Sequence, residues 1–445
     1  YDTAYTGFAP KVTKKLIGDM PQSKTFTFIL TADEKNPAGA TLPDPAKTQV
    51  IYTNRNGDAN ASFGEITFER AGTFTFTIAE QQGTADDGYT YDPSKWTLTV
   101  NVEDEGGRLQ VKSFSYAKDG NLVSGAEAAA FENSYEVKPT EYTPEVTKAM
   151  TGADRPGEKT FDFTLTPGTN NPTDGAVIEN GDTSASITVP KDTPVNEEVR
   201  TAENGFGKII FEKAGTYTFD IRETIPDGAK TNGNKLDGVI YDGGRWTLTV
   251  VVADHNSKLK VESHTYTKAG GTSNIEAAKF VNGYEVKPTE FTPDVRKTVT
   301  GETRPEEQTF TFTLTAGEHN PDGGAAFTDG QAAVTVPAGG TTEGSLVAPD
   351  KDPFGVITFT KAGTYTFTIT ETNEGKQGYT YDDPWTLTVV VRDEKGQLVV
   401  DKAQTKYERT GETDRTDYAL FTNHYKVAPI GYAPQVKKTV EGNVP

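Results

Sequence analysis

Apolar and polar residues alternate at a spacing of two over long parts of this chain. Thr25-Phe-Thr-Phe28, Thr73-Phe-Thr-Phe-Thr-Ile78 and Trp96-Thr-Leu-Thr-Val100 show the pattern at its plainest. Successive side chains of a strand point to opposite faces, so this period predicts strands with one buried and one solvated face. Thr, Val, Tyr and Phe suit such a pleated surface. Gly, Pro, Asn and Asp gather between the runs as turn signals, and the chain reads as all-β.

The same order of signals returns three times. An aromatic strand (Phe26 and Phe28; Phe161 and Phe163; Phe310 and Phe312) precedes a Gly/Pro/Asn/Asp-rich stretch expected to be mostly loop. Then come Phe-Gly-x-Ile-x-Phe, Ala-Gly-Thr-aromatic-Thr-Phe, Trp-Thr-Leu-Thr-Val and a closing Phe-x-Asn-x-Tyr. Thirteen residues beyond each closing Tyr135, Tyr284 and Tyr425 stands a lysine, Lys148, Lys297 or Lys438, and Tyr1 stands in the same relation to Lys14. These lysines are 134, 149 and 141 residues apart, the size of one independently folding domain. About seven short strands per repeat predict a two-sheet sandwich.

The expected organisation is a first repeat over 1–136, whose residues 1–4 belong to the end of an upstream repeat, a second over 137–285 and a third over 286–427. Residues 428–445 are expected to be a linker and the first strand of a truncated fourth repeat, which makes the chain an excerpt of a longer array. Glu136-Val-Lys-Pro-Thr-Glu-Tyr-Thr-Pro144 returns almost verbatim from Glu285 to Pro293 as a short Pro-bearing joint that restricts swivelling.

Parity then picks out polar residues on the apolar face. Lys14 lies between Val12 and Leu16, Lys148 between Val146 and Met150, and Lys297 between Val295 and Val299. Glu80, Glu223 and Glu371 share the parity of the aromatic and Ile residues of their strands, and Asn133, Asn282 and Asn423 stand two residues from Phe and from Tyr. Each repeat is therefore expected to turn one Lys, one Glu and one Asn inward, while Lys15 faces out. Burying a charged pair is costly, and desolvation favours a neutral amine beside a neutral carboxylic acid. A neutral amine held against a side-chain amide can attack its carbon, with the Glu acid polarising the carbonyl and relaying protons to departing ammonia. The alternative is an unreactive buried Lys–Glu salt bridge capped by Asn.

Composition narrows the chemistry. The formal net charge is −20 and the acidic residues are spread along the chain, which disfavours nucleic acid as a partner. There is no cysteine, which excludes disulfides, thiolate metal sites, cysteine nucleophiles and a Cys–Gln thioester within these residues. No apolar run approaches the roughly 18 residues of a membrane span, so no membrane insertion is expected in this segment. The four histidines lack metal-like spacing, and Asn54-Arg-Asn-Gly-Asp58 lacks the later Glu of a calcium loop, so no metal and no cofactor are expected. Trp96, Trp246 and Trp385 read as core residues rather than ligand platforms.

Val-Thr-Lys14-Lys-Leu-Ile-Gly, Ala-Gly-Thr-Phe-Thr-Phe-Thr-Ile-Ala-Glu80 and Phe-Glu-Asn133-Ser-Tyr, in that order and in three copies, resemble the streptococcal pilin isopeptide-linkage domains. These are close relatives of the CnaB-type domains of Gram-positive pilins and adhesins. The resemblance covers nearly the whole chain. It implies tandem inverse immunoglobulin-like β-sandwiches in a rod-like array, with Lys14 bonded to Asn133, Lys148 to Asn282 and Lys297 to Asn423. Glu80, Glu223 and Glu371 would assist as the catalytic groups. Lys438 has no such partners downstream and is expected to stay a free amine.

The function expected from this is structural: a cell-surface stalk, anchored to a cell wall through a region outside the chain. It would be a monomeric rod that contacts neighbouring repeats of its own chain and meets a host ligand only through a head domain elsewhere. It would not be an enzyme, since each triad acts once. Two other readings stay open. In a sortase-assembled pilus shaft, Lys138 or Lys287 of the joints would join separate chains; in a host-binding adhesin module, loops would grip a ligand. The stretches 31–62, 167–205 and 316–353 differ between repeats, which favours spacers over three copies of one binding site.

Overall fold

Thr-aromatic alternation forms strands throughout, with the aromatic parity buried and the Thr parity half-exposed. A computed structural model of the chain describes residues 5–442 apart from 19, 21, 54–55, 85–86, 201–204, 272, 275, 328–329, 340–353, 412 and 416. Residues 1–4, expected to close an upstream repeat, and Asn54 and Arg55 of the Asn54–Asp58 segment lie outside the described residues. Helical structure among the described residues is confined to Glu179–Gly181 and Asp227–Lys230, and no described helix is long and apolar enough to cross a membrane.

The buried apolar residues fall into three clusters, Val12–Tyr135, Val146–Tyr284 and Val295–Phe421, each the core of one sandwich. These are tandem two-sheet β-sandwich domains of an all-β protein. In the first, one sheet runs Asn121–Val123, Leu109–Lys118, Lys95–Asp104, Gly72–Glu80, Lys24–Ala32, Lys47–Tyr52 in spatial order. The facing sheet runs Gly57–Ser62, Lys11–Ile17, Ala129–Tyr135, Tyr89–Thr90. The first and last long strands of each repeat are parallel neighbours: Lys11–Ile17 with Ala129–Tyr135, Val146–Gly152 with Ala278–Tyr284, and Val295–Gly301 with Ala419–Tyr425. A glycine ends each opening strand for a steric reason. Gly18, Gly152 and Gly301 have φ of +97°, +92° and +99°, and a Cβ there would lie 2.2–2.3 Å from the carbonyl oxygen of the closing Tyr135, Tyr284 or Tyr425.

Three expectations need amending. The stretches read as mostly loop contain ladder strands: Lys47–Tyr52 and Gly57–Ser62 in the first repeat, Ser184–Val189 in the second and Gln331–Val336 in the third. These strands lie at sheet edges, where one neighbour suffices and polar residues are tolerated. The joints are partly strand as well, since Thr140–Tyr142 pairs with Ile209–Phe211 and Thr289–Phe291 with Ile357–Phe359. Conversely, residues 428–442, expected to include a first strand, form none and are exposed, including Val436 and Val440. A strand needs a hydrogen-bonding neighbour, and no described segment pairs with this one.

The repeats meet through recurring contacts. Tyr135 donates its hydroxyl to Asp254 at 2.7 Å, and Tyr284 to Asp393 at 2.8 Å. The backbone of Lys138 bridges to the turn at Ser257–Leu259, and that of Lys287 to Gly396–Leu398. Both lysine side chains are exposed.

Candidate functional site

The parallel pairing decides what the inward lysine meets. Lys14 stands opposite Phe131, and Asn133 lies two residues further along the neighbouring strand, on the same face. The same offset places Lys148 opposite Phe280 and Lys297 opposite Phe421. Glu80, Glu223 and Glu371 come from the other sheet, at the ends of strands whose preceding inward residues are aromatic or Ile. In register they face Phe28, Phe163 and Phe312. The three side chains of each repeat meet in the middle of the sandwich.

All nine are buried, and the Lys and Glu side chains have no exposed surface. Lys14 Nζ lies 2.9 and 3.0 Å from the two Glu80 carboxylate oxygens, and Asn133 Nδ2 donates to Glu80 Oε1 at 2.9 Å. In the second repeat Lys148 Nζ donates to Glu223 Oε2 at 2.8 Å and Asn282 Nδ2 to Oε1 at 2.7 Å. In the third, Lys297 Nζ lies 2.7 Å from Glu371 Oε1, and Asn423 Nδ2 donates to the same oxygen at 2.9 Å. Each glutamate thus bridges its lysine nitrogen and its asparagine nitrogen. Phenylalanine rings cover the amines: Phe26, Phe161 and Phe310 have their centroids 4.9, 4.6 and 4.7 Å from the respective Nζ.

That apolar cover shifts the titrations. Burial pulls Lys14 below the ordinary lysine range and pulls Lys148 and Lys297 down to about 8, against the opposing pull of the nearby glutamates. Burial likewise pushes Glu80 and Glu223 above the usual carboxylate range despite their lysine partners. Both shifts favour exchange of the ion pair for amine and acid.

One detail differs from the expected arrangement, in which Glu polarises the amide carbonyl. Asn133 Oδ1 instead accepts from the backbone N–H of Asp92 at 2.7 Å, and Asn282 Oδ1 from that of Asp242 at 2.7 Å. A backbone N–H can be met only by the amide oxygen, so it turns Nδ2 toward the glutamate. Asp92, Asp242 and Asp382 escaped the parity argument because they lie outside strands. The readable signal was a Tyr-Asp pair shortly before Trp96, Trp246 and Trp385 in every repeat. Those three tryptophans are core residues, and each Nε1 donates to the carbonyl of Ala130, Lys279 or Leu420, one residue before the closing Phe. Lys15 is exposed and paired with Glu132 at 2.8 Å, and Lys438 is exposed.

Residues 10–136, 144–285 and 293–426 match the family described as the Spy0128-like isopeptide containing domain. The chain belongs to this family. Three tandem Spy0128-like domains therefore account for most of its length. Among solved structures it is similar to the major pilin from Streptococcus pyogenes, at 18% identity over 62% of this chain and 98% of that one, with a TM-score of 0.29. It is also similar to two B repeat units of the collagen binding protein of Staphylococcus aureus, at 14% identity over 94% of this chain and 75% of that one, with a TM-score of 0.18. A curated relative, Internalin I of Listeria monocytogenes, is 25% identical over 281 residues; the match takes in 56% of this chain and only 15% of the length of that protein.

Proposed function

We propose that this chain is part of the stalk of a Gram-positive cell-surface adhesin, and that each Spy0128-like domain ties itself shut with a Lys–Asn isopeptide bond. The observation that carries this reading is the threefold contact of a buried lysine and a buried asparagine through one shared glutamate. In the step, neutral Lys Nζ attacks Asn Cγ and the Cγ–Nδ2 bond breaks. One proton passes from Nζ through the Glu carboxyl to Nδ2, and ammonia leaves. Nothing is oxidised or reduced, and no cofactor is consumed. Each site acts once, so the chain is a self-modifying structural protein rather than a turnover enzyme. The pairs are Lys14–Asn133, Lys148–Asn282 and Lys297–Asn423.

The position of the bonds supports the mechanical role. A tie between parallel first and last strands lets tension enter a domain at one end and leave at the other without peeling the sheets. Each bond closes a loop of roughly 120 to 135 residues, for which the chain-entropy relation derived for disulfides gives about 4–5 kcal/mol. The stalk would stand outside the cell, held by a region other than residues 1–445, with ligand contact left to another domain.

Intact-protein mass spectrometry tests the chemistry directly. The wild type is expected to be lighter than its sequence mass by three ammonia molecules, and Glu80→Ala by two. A wild type at full sequence mass would refute the covalent reading and leave three unreactive buried ion pairs.

A further inference from the structure

Around each Lys–Glu–Asn contact a second constellation recurs. Asp92 Oδ1 accepts from Ser94 N at 2.9 Å, while its Oδ2 accepts from Glu132 N at 3.0 Å and lies 3.4 Å from Lys118 Nζ. Asp242 repeats this with Gly244 N at 2.8 Å, Val281 N at 3.1 Å and Lys268 Nζ at 2.8 Å. Asp382 repeats it with Asp383 N at 3.1 Å, Thr422 N at 2.7 Å and Arg409 at 2.5 Å. Glu132, Val281 and Thr422 are the residues immediately before Asn133, Asn282 and Asn423. The cation in each case lies over the indole of Trp96, Trp246 or Trp385. Each aspartate therefore fastens the backbone next to the reacting asparagine to the turn that precedes the tryptophan strand. Burial alone would raise the carboxyls of Asp92 and Asp242, but these hydrogen bonds outweigh it and hold both below the usual range.

We propose that the main-chain N–H groups of Asp92 and Asp242 are oxyanion donors for the cross-linking step, and that the carboxylates of Asp92, Asp242 and Asp382 are the positioning groups that hold the turn against the asparagine strand. This rests on the reading that the step occurs. When Nζ adds to Cγ, the electron pair of the C=O bond moves onto Oδ1, and the N–H already 2.7 Å away meets that charge without reorganisation. Glutamate is then free to serve only the two nitrogens, taking the proton from one and giving it to the other. Acid and oxyanion donor thus sit on opposite sides of the amide.

The third repeat departs from this geometry. There the Asp382 N–H points to Glu371 Oε2 at 3.3 Å, and Asn423 Oδ1 is buried without a hydrogen-bond partner. Its carbonyl is unassisted, so the same chain carries its own comparison.

The test follows ammonia loss in newly synthesised full-length chain, quenched at intervals, with each bond assigned by the mass of its cross-linked proteolytic fragment. In the wild type, Lys14–Asn133 and Lys148–Asn282 are expected to form ahead of Lys297–Asn423. Removing an oxyanion donor outright costs about 10²–10³ in rate, and loosening one through its side chain is expected to cost about tenfold. Asp92→Ala should therefore slow the first bond alone, leaving the other two on the wild-type schedule. Asp92→Asn keeps one acceptor but sets an amide N–H where Oδ2 received Glu132 N, so it should slow the first bond as well, and it carries the test if the alanine variant does not fold. Protease resistance of the first repeat reports folding separately. Simultaneous closure of all three repeats, or closure of a folded Asp92 variant at the wild-type rate, overturns the proposal. Absence of ammonia loss from the wild type would instead overturn the cross-linking reading beneath it.

Discussion

Lys148 lies under Phe161 and against Glu223 with no exposed surface, and the loss of hydration brings its pKa from the ordinary 10.5 to about 8. An unlinked lysine of this kind leaves a signature in stability. Between about 8 and 10.5 the unfolded chain holds a proton that the folded chain has released, so stability rises with pH across that window. Below about 8 both states are protonated and the full penalty of burying the charge remains. We therefore expect Asn282→Ala, which has no acceptor amide, to gain thermal stability relative to wild type as pH rises from about 8 toward 10.5. A linked wild type would carry this nitrogen as an amide, which does not titrate. Parallel melting curves that keep a constant gap across this range would show that Lys148 is not a depressed amine.

At the scale of the element, the opening strand does two jobs. It carries the lysine, and its terminal glycine lets it cross the closing strand at close range. Gly152 has φ of +92°, and a Cβ there would stand 2.3 Å from Tyr284 O, which is backbone and cannot swing aside. Gly152→Ala is expected to destabilise the second repeat by at least about 1 kcal/mol, since both the dihedral and the space are wrong for alanine. Chemical denaturation in the Asn282→Ala background, where no cross-link constrains the unfolded chain, measures the cost. The closing strand is held on its other side by indole donors from Trp96, Trp246 and Trp385 and by the aspartate turns. Both partners of the proposed bond are thus fixed before any chemistry, the condition under which proximity yields its largest rate gains.

Across the whole molecule, the tyrosines two residues beyond Asn133 and Asn282 each belong to two domains. Tyr135 and Tyr284 close their own cores and also hydrogen-bond Asp254 and Asp393 of the next repeat. The joints are not filled: a crevice of about 860 Å³ lies between the first and second repeats and one of about 690 Å³ between the second and third. Alignment of neighbours therefore depends on a few directed contacts more than on packed area. We expect Tyr135→Phe to loosen the first joint without lowering the stability of either repeat by more than about 2 kcal/mol, the net worth of the two hydrogen bonds its hydroxyl makes, to Asp254 and from Ser257 N. Small-angle scattering should show a broader distribution of interatomic distances. Gly396 is a sharper probe, because a Cβ there would lie 2.4 Å from Gly238 Cα of the preceding repeat. Gly396→Ala is expected to displace the third repeat from the second, with the same scattering readout. An unchanged profile in both variants would mean that the linker alone sets the angle.

Much of this was legible in one dimension because strand parity is a local property. Lys14, Glu80 and Asn133 betrayed themselves by standing in phase with Val12, Phe76 and Phe131, and three copies made the pattern specific. The repeat motifs likewise declared an all-β array of one recurring unit. What parity cannot state is which strand lies beside which. The parallel pairing that sets Asn133 two residues from the lysine's register, and the sheet-to-sheet approach that brings Glu80 between them, follow from long-range chain crossings, with Glu80 itself 66 residues from Lys14 and 53 from Asn133. Edge strands such as Lys47–Tyr52 hid among turn residues because their polar side is paid for by solvent. Asp92 and Asp242 escaped for a different reason: they lie outside strands, where parity says nothing, and each meets the amide oxygen through a backbone N–H, which every residue but proline possesses. By itself the sequence determined the repeat, the strands and the buried Lys, Glu and Asn, since these depend on alternation along the chain. Only the tertiary structure decided the direction of the amide, the donor at its oxygen and the tyrosine contacts between repeats, since these depend on atoms that long-range packing brings together.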